Sequence, residues 1–207
     1  MSMLIFSLFN SQANASAEGS FWKWFQKNDA MIFNFEKDTE RTFDKLSEAL
    51  AKVDPELTFE FGPILDDGKR EFVISAGGIK SSFSSVEALF NSAPELKNWV
   101  IVKFRPRREI LNELSFSGVT VKSEDVYYNL YKDEEKIGVV LFFDSYSEKE
   151  HDIYGNLGYL FLDEAMGEYD VETKLGFIEF HNKSSEHFNG ARKIKELAVQ
   201  VDEYYAN

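Results

Sequence analysis

The chain has 207 residues, 43% of them hydrophobic and 15% aromatic, which is more large apolar surface than a disordered chain carries. It has no cysteine, so disulfides, zinc–thiolate sites, iron–sulfur clusters and thiol nucleophiles are excluded, and His151, His181 and His187 are its whole imidazole supply. At a formal net charge of −13 its one short basic run, KFRPRR at 103–108, is too small to grip a phosphate backbone. No nucleic-acid partner is expected, and the charge suits either solubility or a basic protein partner.

The N-terminus, MSMLIFSLFNSQANASA, holds an apolar run from Met3 to Phe9 and Ala-x-Ala patterns at 13–15 and 15–17. No Lys or Arg precedes the run, which sits at the short limit for a secretory signal. Residues 1–20 are therefore expected to be an N-terminal segment and linker of a cytoplasmic protein, and residues 21–207 a single domain. No stretch reaches the ~20 apolar residues of a membrane helix, so no membrane partner is expected. FWKWFQKN (21–28) places aromatics at 21, 22, 24 and 25, one broad apolar face on a helix. That face either docks on the core or offers Trp22 and Trp24 to a partner.

Phe43, Leu46, Leu50 and Val53 then recur at helical spacing, with Asp38 or Thr39 to cap the start and Pro55 to end the helix. LTFEFGPI (57–64) alternates like a strand, Asp66-Asp67-Gly68-Lys69 is a turn, and REFVISA (70–76) returns as a second strand. Gly77-Gly78 reads as a tight turn with positive φ, without the spacing of a phosphate-binding loop. SSVEALFNSAP is a short helix stopped before Pro94. NWVIVKF (98–104) reads as a strand buried on both faces and ended by Pro106.

The second half repeats this order. VYYNLYK (126–132), a turn at 133–135 and KIGVVLFFD (136–144) form a hairpin. A helix runs from about Ser147 to Met166, and KLGFIEFH (174–181) is a strand. The last 24 residues form a closing helix capped near Ser184 or Ser185, with Ile194, Leu197, Val201 and Tyr204 on one face. Halves 36–108 and 117–207 share an order of elements rather than residues. The expected class is α+β, a largely antiparallel or mixed sheet with helices packed on it, in two ββαβ-like halves.

Residues 144–172 hold nine carboxylates against one lysine. Asp163, Glu164, Glu168 and Asp170 are the candidate contacts for a basic protein partner. Acids near the end of a helix oppose its dipole, so their placement before and after the C-capping Gly167 needs a reason. One is an internal ion network with Arg105, Arg107 and Arg108. A metal held by Asp163, Glu168 or Asp170 would lack both the D-x-D-x-D-G loop and an adjacent histidine, so neither metal nor cofactor is expected. The competing reading is an acid–base enzyme using Asp163, Glu168, Glu179 and His181, the last two on one strand face. It has no G-x-S-x-G or H-E-x-x-H to support it, and it requires these groups to converge in a concave pocket.

FWKWF, then REFVISAGGIKSSF with APELKNWVIVKFRPR, then LDEAMGEYD with FIEF together resemble a family of bacterial proteins of unknown function, over most of the chain. The resemblance implies a bacterial, cytoplasmic protein and brings no activity, cofactor or catalytic residue. The expectation is a non-catalytic acidic protein of accessory or immunity type that binds another protein. The alternative is a metal-assisted or acid–base hydrolase.

Overall fold

The computed structural model describes residues 16–206, so most of the expected N-terminal segment lies outside the described residues. Helix α1 (Ala17–Lys27) starts where the Ser16 hydroxyl accepts the Gly19 N–H, and it carries Glu18 and Lys27 at the ends its dipole favours. A short α2 (Asp29–Phe33) and α3 (Thr39–Ala51) follow, and then the hairpin of β1 (Thr58–Ile64) and β2 (Arg70–Ser75). After α4 (Phe83–Asn91), β3 (Trp99–Lys103) returns parallel to β2. The sheet order β1-β2-β3 makes β2 the covered strand and β3 an edge. β3 is thus not buried on both faces as its composition implied, and Val100, Ile101 and Val102 stay partly open.

A small hairpin, β4 (Glu113–Phe116) and β5 (Val119–Lys122), turns through Ser117 and Gly118, both with positive φ. The second half then repeats the first. β6 (Tyr127–Asp133) and β7 (Lys136–Phe143) are antiparallel, and α5 (His151–Met166) and α6 (Glu168–Lys174) carry the chain across. β8 (Leu175–Asn182) runs parallel to β7. Both halves are therefore ββαβ units in an α+β fold with mixed sheets.

The closing helix is shorter than expected. Asn189 and Gly190, the latter with positive φ, break the run, and β9 (Arg192–Lys193) pairs with β6 before α7 (Leu197–Ala206) begins. Ile194, Leu197 and Val201 are buried as expected, whereas Tyr204 is exposed.

Each half buries its own apolar cluster. Phe21, Trp22 and Phe25 pack with Leu46, Leu50 and Phe72 in the first, and the Trp22 indole N–H donates to the Leu89 carbonyl at 2.9 Å. Trp22 is therefore core and not a contact for a partner; Trp24 is partly buried at the margin. In the second half Phe161 and Leu162 of α5 meet Val139, Leu141 and Phe143 of β7, the most covered strand. Among the described residues no helix is long and apolar enough to cross a membrane.

Tyr128 sits within this second core with its hydroxyl buried and no hydrogen-bond partner among the described residues. Burial pushes its phenol pKa up to about 12. A buried, unsatisfied hydroxyl is a net cost. Tyr128→Phe is expected to raise the unfolding free energy by about 1 kcal/mol in urea titration.

Candidate functional site: an acidic cavity where the two halves meet

Three backbone irregularities converge on one side chain. After β2, Gly77 and Gly78 take φ of 60° and 79°. This turn directs the N–H groups of Ala76 and Gly78 onto Glu168 Oε1, at 2.9 and 3.1 Å. After β3, Phe104 adopts φ 59°, unusual for a bulky residue. It is held there because its N–H donates to the Ile74 carbonyl at 2.8 Å and its ring packs against both Phe83 and Tyr169. Phe104, rather than Pro106, turns the chain out of the strand. The turn brings the Arg105 N–H to Glu168 Oε2 at 3.0 Å, while the Arg105 carbonyl accepts the Glu168 N–H at 3.0 Å.

The third irregularity is Gly167 between α5 and α6, at φ 84° and ψ 145°, a region open essentially to glycine. A Cβ at that position would stand 3.0 Å from the Arg107 nitrogen and 3.2 Å from the Arg105 oxygen. Glu168 is thus 0% exposed and clamped by three backbone donors. The exposed acidic contact expected at this position is in fact an internal strut, because the backbone amides of 76, 78 and 105 take up its charge.

Arg105 extends from the clamp to the Asp163 carboxylate at 3.0 Å and to Glu60. Arg107 forms a two-pronged pair with Asp202 at 2.7 and 3.0 Å and lies 4.0 Å from Asp170; Arg108 meets Glu71 at 2.7 Å. The internal ion network is present, but most of its partners come from β1, β2 and α7 rather than from residues 168–172. Glu164 accepts the Leu111 N–H at 2.9 Å through its carboxylate, and its carbonyl accepts the Arg108 N–H at 2.9 Å. The acids that oppose the α5 dipole are thus held by the segment from Phe104 to Leu111.

Beside the clamp opens a cavity of about 510 Å³. Gly77 and Gly78 form one wall, Arg105, Asp163 and Glu172 line it with charge, and Asn156 adds an amide. The rings of Phe116 and Tyr159, 37% and 44% exposed, complete the lining. Burial pushes the Asp163 carboxyl up to about 6; Arg105 acts against this, and Glu168 and Glu60 add to it. Glu172 is raised by burial and by Glu168, with Lys80 and Lys136 opposing. Among the described residues no hydrogen-bond donor meets the Glu172 carboxylate.

Glu179 and His181 do not join this group. They pair with each other on β8 at 3.1 Å, and the His181 ring faces Phe142 and His187. The four-residue acid–base constellation is therefore not assembled, because β8 carries these two side chains to another face. Among the described residues no set of three or more His, Asp or Glu is placed to hold a metal ion. Sequence reasoning passed over Glu60, Phe116, Asn156 and Tyr159. The signal for Phe116 was present, since Leu114 and Phe116 alternate into Ser117-Gly118 and out through Val119 and Val121. No protein-family model, curated protein or solved structure matches this chain.

Two outcomes follow from this geometry. Glu168→Gln replaces an acceptor oxygen with a donor facing backbone N–H groups, and is expected to destabilise the fold by about 3 kcal/mol in urea. Asp163 has its folded pKa above the unfolded value near 3.8, so the folded state holds the extra proton between the two. Its contribution to stability therefore falls as the pH rises from about 4 to about 6. Relative to Asp163→Asn, the natural protein should gain up to about 3 kcal/mol when the pH is lowered from 7 to 4, read from paired urea titrations.

Proposed function

We propose that this is a non-catalytic bacterial cytoplasmic protein that binds another protein, taking a lysine or arginine side chain of a basic partner into the cavity beside α5. The observation that carries this reading is the charge imbalance around Arg105. A single guanidinium faces Glu60, Asp163 and Glu168, and Glu172, which feels Lys80 and Lys136, adds a fourth carboxylate to the cavity lining. A cation entering the cavity would meet unpaired carboxylate oxygens at low dielectric, where such contacts are strong. Its aliphatic stem or guanidinium plane would lie against Phe116 and Tyr159. The bacterial setting rests on the resemblance of the FWKWF, REFVISAGG and LDEAMGEYD stretches to a family of bacterial proteins of unknown function, and the overall charge of −13 would steer a basic partner towards this surface.

The acid–base alternative has one observation in its favour, the elevated Asp163 pKa within a cavity, as expected of a proton-transferring group. It is the weaker reading, because Glu179 and His181 lie elsewhere and, among the described residues, no Ser, Thr or His lines the cavity beside Asp163.

The test is retention of basic proteins on the immobilised chain at low and moderate salt, followed by titration of the captured partner. Asp163→Asn with Glu172→Gln is expected to weaken binding at least ~10-fold, whereas Glu135→Gln with Glu186→Gln, on exposed positions, leaves it unchanged. Equal loss in both double variants would mean diffuse charge attraction and would sink the cavity reading. Because the cation needs Asp163 ionised, affinity should also fall by up to about tenfold per pH unit below about 6.

A further inference from the structure

The second sheet has the order β8-β7-β6-β9, so among the described residues no strand pairs with the outer edge of β8. Its ladder with β7 shifts register between Ile137 and Val139 and is regular from Ile178 to Asn182. Over those five residues, IEFHN, the edge carries no proline, no lysine and no bulge, and its single acidic charge is Glu179. From this geometry we infer that β8 pairs antiparallel with β8 of a second copy of this chain, joining two four-stranded sheets across a two-fold axis.

The register follows from the residues. An axis perpendicular to the sheet keeps each face with itself, so a residue meets one an even number of positions away. Centring on Phe180 uses the whole regular stretch. Glu179 then lies opposite His181 of the second copy, and the reverse pair forms on the other side of the axis. On the opposite face the two Phe180 rings become cross-strand neighbours. Centring on Glu179 would instead set two carboxylates against each other and run into the irregular start of the strand. Centring on His181 leaves only three residues to pair. The Phe180 register is thus the longest and the one that sets each carboxylate opposite an imidazole rather than a second carboxylate. Glu179 is exposed and already within 3.1 Å of its own His181, so the dimer would form a four-membered alternation of carboxylate and imidazole.

This inference is independent of the cavity. It is tested on the full chain by sedimentation velocity over a concentration series, with amide exchange on the same samples. The expected result is a shift from 23.9 kDa to twice that mass, with slower exchange in 178–182 as dimer accumulates. Glu179→Lys, on an exposed side chain, should weaken the dimer at least ~10-fold, and Glu179→His combined with His181→Glu should restore it to within about threefold. A chain that stays monomeric up to ~0.5 mM would overturn the inference, since that limit admits only millimolar affinity. So would a dimer whose 178–182 amides exchange as in the monomer, or one indifferent to both variants.

Discussion

The fold depends on a carboxylate that water cannot reach. Glu168 is fully buried and far in sequence from two of the groups that hold it, with Ala76 and Gly78 at 92 and 90 positions away. A buried charge without partners would be prohibitively costly, and three backbone N–H donors make its burial tolerable. Those donors come from the exits of β2 and β3, and the acid comes from the start of α6. One side chain thus ties β2 and β3 of the first half to the helical layer of the second.

The clamp also accounts for the backbone around it. Phe104 occupies a sparsely populated conformation, which persists only where the surroundings over-determine it, and Gly77, Gly78 and Gly167 supply positive φ where a side chain would be strained. Each is fixed at the same point: the glycine turn by donating to Glu168, Phe104 by turning Arg105 towards it, and Gly167 by allowing the 105–107 segment to approach. Local strain and one long-range polar contact are in this sense a single feature. Arg105 reaches Asp163 while its own N–H donates to Glu168, so one residue carries both the clamp and the salt bridge.

What was legible in the sequence was local. Alternation at Leu57, Phe59 and Phe61 and the turn at Asp66–Lys69 specify the first hairpin, and the same logic specifies β6 and β7. Helical spacing located α1 and α3, while Pro94 and Gly167 marked the ends of α4 and α5. The misses have physical reasons. Tyr204 continues the period of Val201, but Gly190 and the pairing of β9 with β6 prevent a helix before Leu197. NWVIVKF has the composition of a covered strand, yet chain order puts it at an edge, and composition carries no information on sheet position. Whether Glu168 faces water or three amide hydrogens is decided by residues some 60 to 90 positions away, which no periodicity encodes.

Glu168 and Glu172 make the division of labour explicit. They are four residues apart on α6, one helical turn, and so share a face, and that face looks onto the Gly77-Gly78 turn. A Cβ added at Gly78 would come to 3.5 Å from Glu172 Oε1, so the second acid stands almost as close to the turn as the first. The inward donors are finite. Ala76, Gly78 and Arg105 all donate to Glu168, which leaves Glu172 and the second oxygen of Asp163 facing the cavity, with Lys80 and Lys136 favouring the Glu172 charge. The same arrangement that neutralises one carboxylate leaves its neighbour under-compensated, and a cation from outside the chain is the species that would complete it.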